Sequence, residues 1–195
     1  QRQYVQALVG QGEYEAGYAW LNRVLTKDAQ WLPHEEESLR TAYTEALRSQ
    51  GRYAEAAAYL AGWVKLNPPG LSAYQQYLSA LIWADRVDEA NALIAQWLKE
   101  GRREGPLAPE LASRLQAAVG QALGQGYNLY TDRIDERWLA PLADAALFFA
   151  RHESQVHQAD RIMGHYRFQQ SDECRRVRKE IARILRKDID KLSPA

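Results

Sequence analysis

The chain has 195 residues, with 25 basic and 25 acidic side chains and 46% hydrophobic residues. That balance gives no overall field for nucleic acid or an anionic membrane surface, and the apolar content excludes a mostly disordered chain. No apolar run reaches the ~18 residues of a membrane-spanning helix. The single Cys174 excludes an internal disulfide and leaves both cytosol and periplasm open.

The chain opens with Tyr4-x-x-Ala7-Leu8-x-x-x-Gly12-x-Tyr14. The pattern returns as Tyr43-x-x-Ala46-Leu47-x-x-x-Gly51-x-Tyr53, and again as Tyr77-x-x-Ala80-Leu81-x-x-x-Asp85-x-Val87. The starts lie 39 and 34 residues apart. A repeat of that period predicts helical hairpins, each burying its apolar face on its neighbours.

In the first hairpin the second helix carries Tyr14, Gly17, Leu21, Val24 and Leu25 at helical spacing. The second hairpin starts at Pro33, whose missing N–H would be unpaired at a helix start anyway. Glu35, Glu36 and Glu37 suit the positive end of the helix dipole, which explains this acidic run without a catalytic or cation-binding role. Its faces are Leu39, Tyr43, Ala46 and Leu47, then Tyr53, Ala56, Leu60, Trp63 and Val64, with Asn67-Pro68-Pro69-Gly70 as the stop. The third hairpin copies this with Tyr74, Tyr77, Ala80 and Leu81, then Val87, Ala90, Ile94, Trp97 and Leu98, and closes at Gly101. Gly17, Ala56 and Ala90 share one repeat position, where close helix approach demands a small residue.

Beyond Gly101 the pattern loosens. A helix is predicted over Leu107 to Leu123. Gly120, Gly124 and Gly126 then argue against a partner helix, so residues 125–135 read as a loop or a bent linker. A helix resumes from Trp138 to Arg151 with Leu142, Ala145, Ala146 and Phe149 inward. The next carries Val156, Ala159, Met163 and Tyr166, and a last amphipathic helix carries Cys174, Val177, Ile181, Ile184 and Leu185. The domain reading is one array over 1–195: clear repeats to 101, an irregular repeat over 102–137, and a degenerate repeat with a terminal capping helix over 138–195.

Chemistry-bearing constellations are sparse. His157 and His165 lie about 12 Å apart on one helix and cannot share a metal. Glu153 and His157 read as a surface pair. The glycines at 120, 124 and 126 follow no strand, so they form no dinucleotide fingerprint. Cys174 begins an apolar face and has no activating base. The expectation is no catalysis, no cofactor and no metal. Eight basic residues crowd the last helix, among them Arg175, Arg176, Arg178, Lys179, Arg183 and Arg186. They read first as a solvated outer face. The alternative is a basic surface for a peptide or nucleic acid, the latter weakened by Glu180, Asp188 and Asp190.

Gly51-Arg52-Tyr53-Ala54-Glu55-Ala56 with Pro68, and Asp85-Arg86-Val87-Asp88-Glu89-Ala90, resemble the tetratricopeptide repeat, with the likeness concentrated in residues 1–101. The resemblance implies an all-α fold, a right-handed superhelical solenoid of about five antiparallel helix pairs. It implies that the first helices line a concave, partner-binding face at Arg2, Gln6, Thr41, Glu45, Arg48, Gln75, Ser79 and Trp83. Tyr127 and Tyr130 in the irregular loop join these as aromatic anchors. The lysine-and-asparagine clamp for C-terminal carboxylates is missing: Arg2, Gln6, Ala42, Ser72 and Gln76 stand there. Long arrays of this kind resemble the periplasmic parts of outer-membrane exopolysaccharide exporters, which recruit partner proteins. The resulting expectation is a non-catalytic scaffold module of a larger bacterial protein, periplasmic or cytoplasmic. The alternatives are a cytoplasmic regulator acting through the basic last helix and an accessory domain of an enzyme. Gln1 falls inside a first helix, with no methionine, signal peptide or cap before it. The chain therefore reads as an excerpt whose first helix is open to end-to-end self-association.

Overall fold

The computed structural model describes residues 1–27, 33–66, 71–101, 107–125, 127–128, 133–152 and 155–192. The fold is all-α, with one two-residue antiparallel pair. The stop at 67–70 lies outside the described residues. Packing groups the helices into two units, Gln1–Ala84 and Asp85–Ala195. The boundary falls at the turn of the third repeat, between its two helices, where the sequence reading runs one array through.

The first unit contains α1 (Arg2–Gly10), α2 (Tyr14–Lys27), α3 (Pro33–Ser49), α4 (Tyr53–Leu66) and α5 (Leu71–Trp83). Helix α1 packs on α2 and α3, α3 on α2 and α4, and α4 on α5, while α3 also touches α5. The turns explain the hairpins. At the first, the Glu13 N–H donates to the Leu8 carbonyl at 2.9 Å and the Gly12 N–H to that of Val9 at 3.0 Å. Arg52 and Gly51 repeat this onto Leu47 and Arg48. This closure needs a left-handed residue, and Gly12 and Gly51 supply φ of 84° and 71°.

The repeat phase is visible in the core. Ala56 is fully buried, Leu39, Tyr43, Leu47, Leu60 and Trp63 are buried in the same unit, and Gly17 is buried at the equivalent position. A Cβ on Gly17 would lie 3.2 Å from Val9 Cγ2 and 3.6 Å from the Tyr43 ring. Tyr59 meets both Tyr43 and Tyr18 edge to face, with Tyr43–Tyr59 centroids 4.9 Å apart. Arg40 Nη1 donates to the Tyr59 hydroxyl at 3.0 Å, yet burial still pushes that phenol up to about 12. Ala56→Leu should overpack this contact and cost about 1–3 kcal/mol. An unchanged urea midpoint for that variant would contradict the assigned phase. At the outer end, Tyr4 is 52% exposed and Leu8 half-buried, whereas their repeat counterparts Tyr43 and Leu47 are buried.

The second unit contains α6 (Val87–Gly101), α7 (Pro109–Gln125), β1 (Tyr127–Asn128), β2 (Arg133–Ile134), α8 (Leu139–Ala150), α9 (Val156–Gly164), α10 (Tyr166–Gln169) and α11 (Asp172–Leu192). A 3-10 turn at Glu136–Trp138 leads into α8. Helix α8 is apolar almost all round and packs against α6, α7, α9 and α11. Leu142, Ala143, Ala145, Ala146, Phe148, Phe149 and Ala150 are all buried. Ser171 caps α11 by accepting the Cys174 N–H at 3.2 Å.

Three expectations are corrected in this unit. Gly124 is helical, because α7 runs on past the predicted end to Gln125. The segment read as a loop over 125–135 contains a short ladder, with Tyr127 opposite Ile134 and Asn128 opposite Arg133. Tyr166 is 49% exposed, because the helix breaks at His165, whose extended ψ of 122° lets α10 restart and bury Phe168 instead.

Candidate functional site

The predicted groove residues divide sharply by burial. Arg2, Gln6, Glu45, Gln75 and Trp83 are exposed, and Thr41 and Arg48 are half-buried. Ser79 is only 4% exposed and belongs to the core, which corrects its place among the binding residues. Helix α5 is covered on more of its circumference than an apolar stripe requires. Thr41 is engaged in helix packing. Gln76 Nε2 donates to Thr41 Oγ1 at 3.1 Å and to Ser72 Oγ at 3.2 Å, and Gln76 Oε1 accepts from Thr44 Oγ1 at 2.8 Å. These bonds knit α3 to α5 where the clamp of the resembled family would stand.

Two hollows lie along α1 and α3. One, of about 700 Å³, is lined by Gln1, Arg2, Gln3, Gln6, His34, Glu35, Ser38 and Leu39. The other, of about 280 Å³, is lined by Gln6, Gly10, Glu45, Ala46 and Ser49. Gln6 borders both, and the smaller is a trough between α1 and α3. Register adds a feature that the motif reading missed. Gly10, Ser49 and Trp83 occupy one repeat position, at the ends of α1, α3 and α5. The first two are small and line the trough, and the third is a tryptophan, 52% exposed. Trp83 is held by stacking on Tyr53, with centroids 5.7 Å apart and planes at 23°. Beside this row, Arg48 Nε is buried with no acceptor among the described residues. A buried unpaired donor costs about 1–3 kcal/mol.

The loop anchors are only partly placed. Tyr127 lies in β1, and Tyr130 lies outside the described residues. Instead, the structure singles out Arg137 beside the ladder. Its guanidinium donates to Asp135 and, at 2.6 Å, to Asp85 Oδ1. Its carbonyl accepts from Asn91 Nδ2 at 2.9 Å. Asp85 stands where Gly12 and Gly51 make the earlier turns, and it adopts the same left-handed backbone with φ 56°. That conformation costs a non-glycine residue about 1–2 kcal/mol, while an exposed ion pair returns about 0.2–1 kcal/mol. What the aspartate supplies at this turn is a contact that ties the segment before α8 to the start of α6. A hollow of about 780 Å³ adjoins it, lined among others by Ile134, Asp135, Arg137, Arg167 and Ser171.

Helix α11 carries the predicted basic surface. Arg175, Arg176, Arg178, Lys179 and Arg183 are exposed, and Arg186 lies in the helix with its side chain outside the description. Arg175 pairs with Asp172, Arg176 with Glu173 at 2.7 Å, and Arg183 with Glu180 at 2.7 Å. Cys174 is buried, and burial pushes its thiol up against the opposing pull of Arg178. Such a thiol is a poor nucleophile. His152 lies against Phe148, and His157 bonds to Gln158 at 2.8 Å. Burial, then Arg167 and Arg161, holds His165 below its ordinary value. Glu153 is outside the described residues. Among the described residues no group of three His, Cys, Asp or Glu is placed to hold a metal ion, and no helix is long and apolar enough to cross a membrane.

No protein-family model matches the chain, and comparison with curated proteins and with solved structures finds none similar to it.

Proposed function

We propose that the chain is a non-catalytic interaction module built of tetratricopeptide-like helix pairs, binding a protein or peptide along the α1–α3–α5 face. The observation that carries this reading is the row Gly10–Ser49–Trp83. Two small residues keep a trough open, and a rigidly stacked, exposed tryptophan ends the row. An exposed tryptophan on a fixed platform is the kind of anchor that dominates binding energy. Arg48, half-buried, adds a cationic side chain beside the row. Arg2, Gln6, Glu45 and Gln75 supply polar contacts around it. A superhelical array, with the whole chain as one stack, is the architectural half of the same proposal. Placement in the envelope, within an exopolysaccharide export machine, rests on resemblance alone. A signal peptide and a β-barrel pattern in the full-length gene product would check it.

The test is selection of binders from a displayed random-peptide library, followed by titration of variants. Trp83→Ala should weaken selected peptides by about thirtyfold or more, equivalent to about 2 kcal/mol. Ser49→Trp should block the trough. Peptides indifferent to both changes would refute the site.

A further inference from the structure

The surface of α11 opposite its buried stripe has a charge arrangement that the groove reading does not use. At 3.6 residues per turn, Arg175, Arg176, Lys179 and Arg183 fall in one band about 100° wide. The band faces away from Cys174 and Val177, which are buried against the rest of the unit. Glu173 and Glu180 stand along one flank, and Asp172 stands at the helix start. A shallow surface hollow of about 600 Å³ follows the band and is lined by α11 residues alone. Three of the arginines are steadied by a carboxylate three residues before them, and Lys179 has no ion pair among the described residues. A guanidinium held on one edge can still take a second carboxylate on another.

We propose that this face of α11 docks an acidic helical segment of a partner protein. The spacing favours a helix. Arg175, Lys179 and Arg183 recur every four residues, about 6 Å along the axis, which matches carboxylates at i and i+4 on a second helix. Flanking Glu173 and Glu180 repel a continuous phosphate backbone, and they can pair with lysines beside the partner's acidic stripe. The net charge of zero likewise gives no long-range attraction for nucleic acid.

The probe is a labelled peptide with glutamates at every fourth position and lysines on one flank, followed by fluorescence anisotropy with the full chain. A scrambled peptide of equal charge, a single-stranded oligonucleotide and anionic vesicles are the comparisons. Saturable binding of the patterned peptide, at least about tenfold tighter than the scramble, is expected. It should weaken about tenfold or more in K179E/R183E, with unchanged helix content by circular dichroism, and persist in Trp83→Ala. No saturation up to about 1 mM, equal binding of patterned and scrambled peptides, or tighter binding of oligonucleotide or vesicle would each overturn the proposal.

Discussion

Trp138→Ala should destabilise the second unit by about 3–5 kcal/mol, while Trp138→Phe should cost about 1 kcal/mol or less. Trp138 ends the 3-10 turn and is only 1% exposed. That turn packs on α6 and α8, so truncation to alanine leaves a cavity where two helices and the turn meet. Its indole Nε1 is buried and finds no acceptor among the described residues. Phenylalanine keeps most of the ring volume and removes the unpaired donor, so the lost contact and the relieved desolvation nearly offset. Urea unfolding followed by circular dichroism reads both variants. Equal losses for Phe and Ala would mean that the indole N–H is satisfied after all.

Gly101→Ala should also destabilise, by about 1–3 kcal/mol, against the usual gain of about 1 kcal/mol for removing a helical glycine. A Cβ at Gly101 would sit 2.5 Å from Phe148 Cζ and 3.1 Å from Leu107 Cδ1. The ring cannot step aside easily, because Phe148 is buried within α8. The same exchange at Gly124, where an added Cβ meets nothing within 4 Å, should stabilise. Opposite signs for two helical glycines in one unit are the discriminating result. Phe148→Leu combined with Gly101→Ala should recover part of the loss, since the two changes share one contact.

The hairpins were legible because three constraints coincide in the first 101 residues: aromatic and aliphatic residues at helical spacing, a turn glycine, and a small residue where helices cross. Each limits the others, so phase and boundaries emerge together. Past Gly101 only periodicity remained. Periodicity identifies a helix face but not how many neighbours cover it, which is why Tyr166 was assigned to the core; Ser79, within the clear repeats, was placed on the binding face by resemblance alone. Nor does periodicity reveal a break such as that at His165, which exchanges Tyr166 for Phe168 in the core. Of the candidate site, Trp83 was marked by its place late in the first helix of its repeat, where the resemblance implies a concave face. The row Gly10–Ser49–Trp83 was written in the repeat register but carries no motif, because two of its three members matter for the side chain they lack.

Asp85 and Arg137 tie together two stretches of chain that inheritance can alter one nucleotide at a time. An arginine lost first leaves an aspartate in a left-handed turn with its main compensation gone, and glycine becomes the better residue there. A glycine acquired first removes one of the two carboxylates on the Arg137 guanidinium and leaves Asp135. Loss of the arginine should therefore favour glycine at position 85, even though 52 residues separate the two.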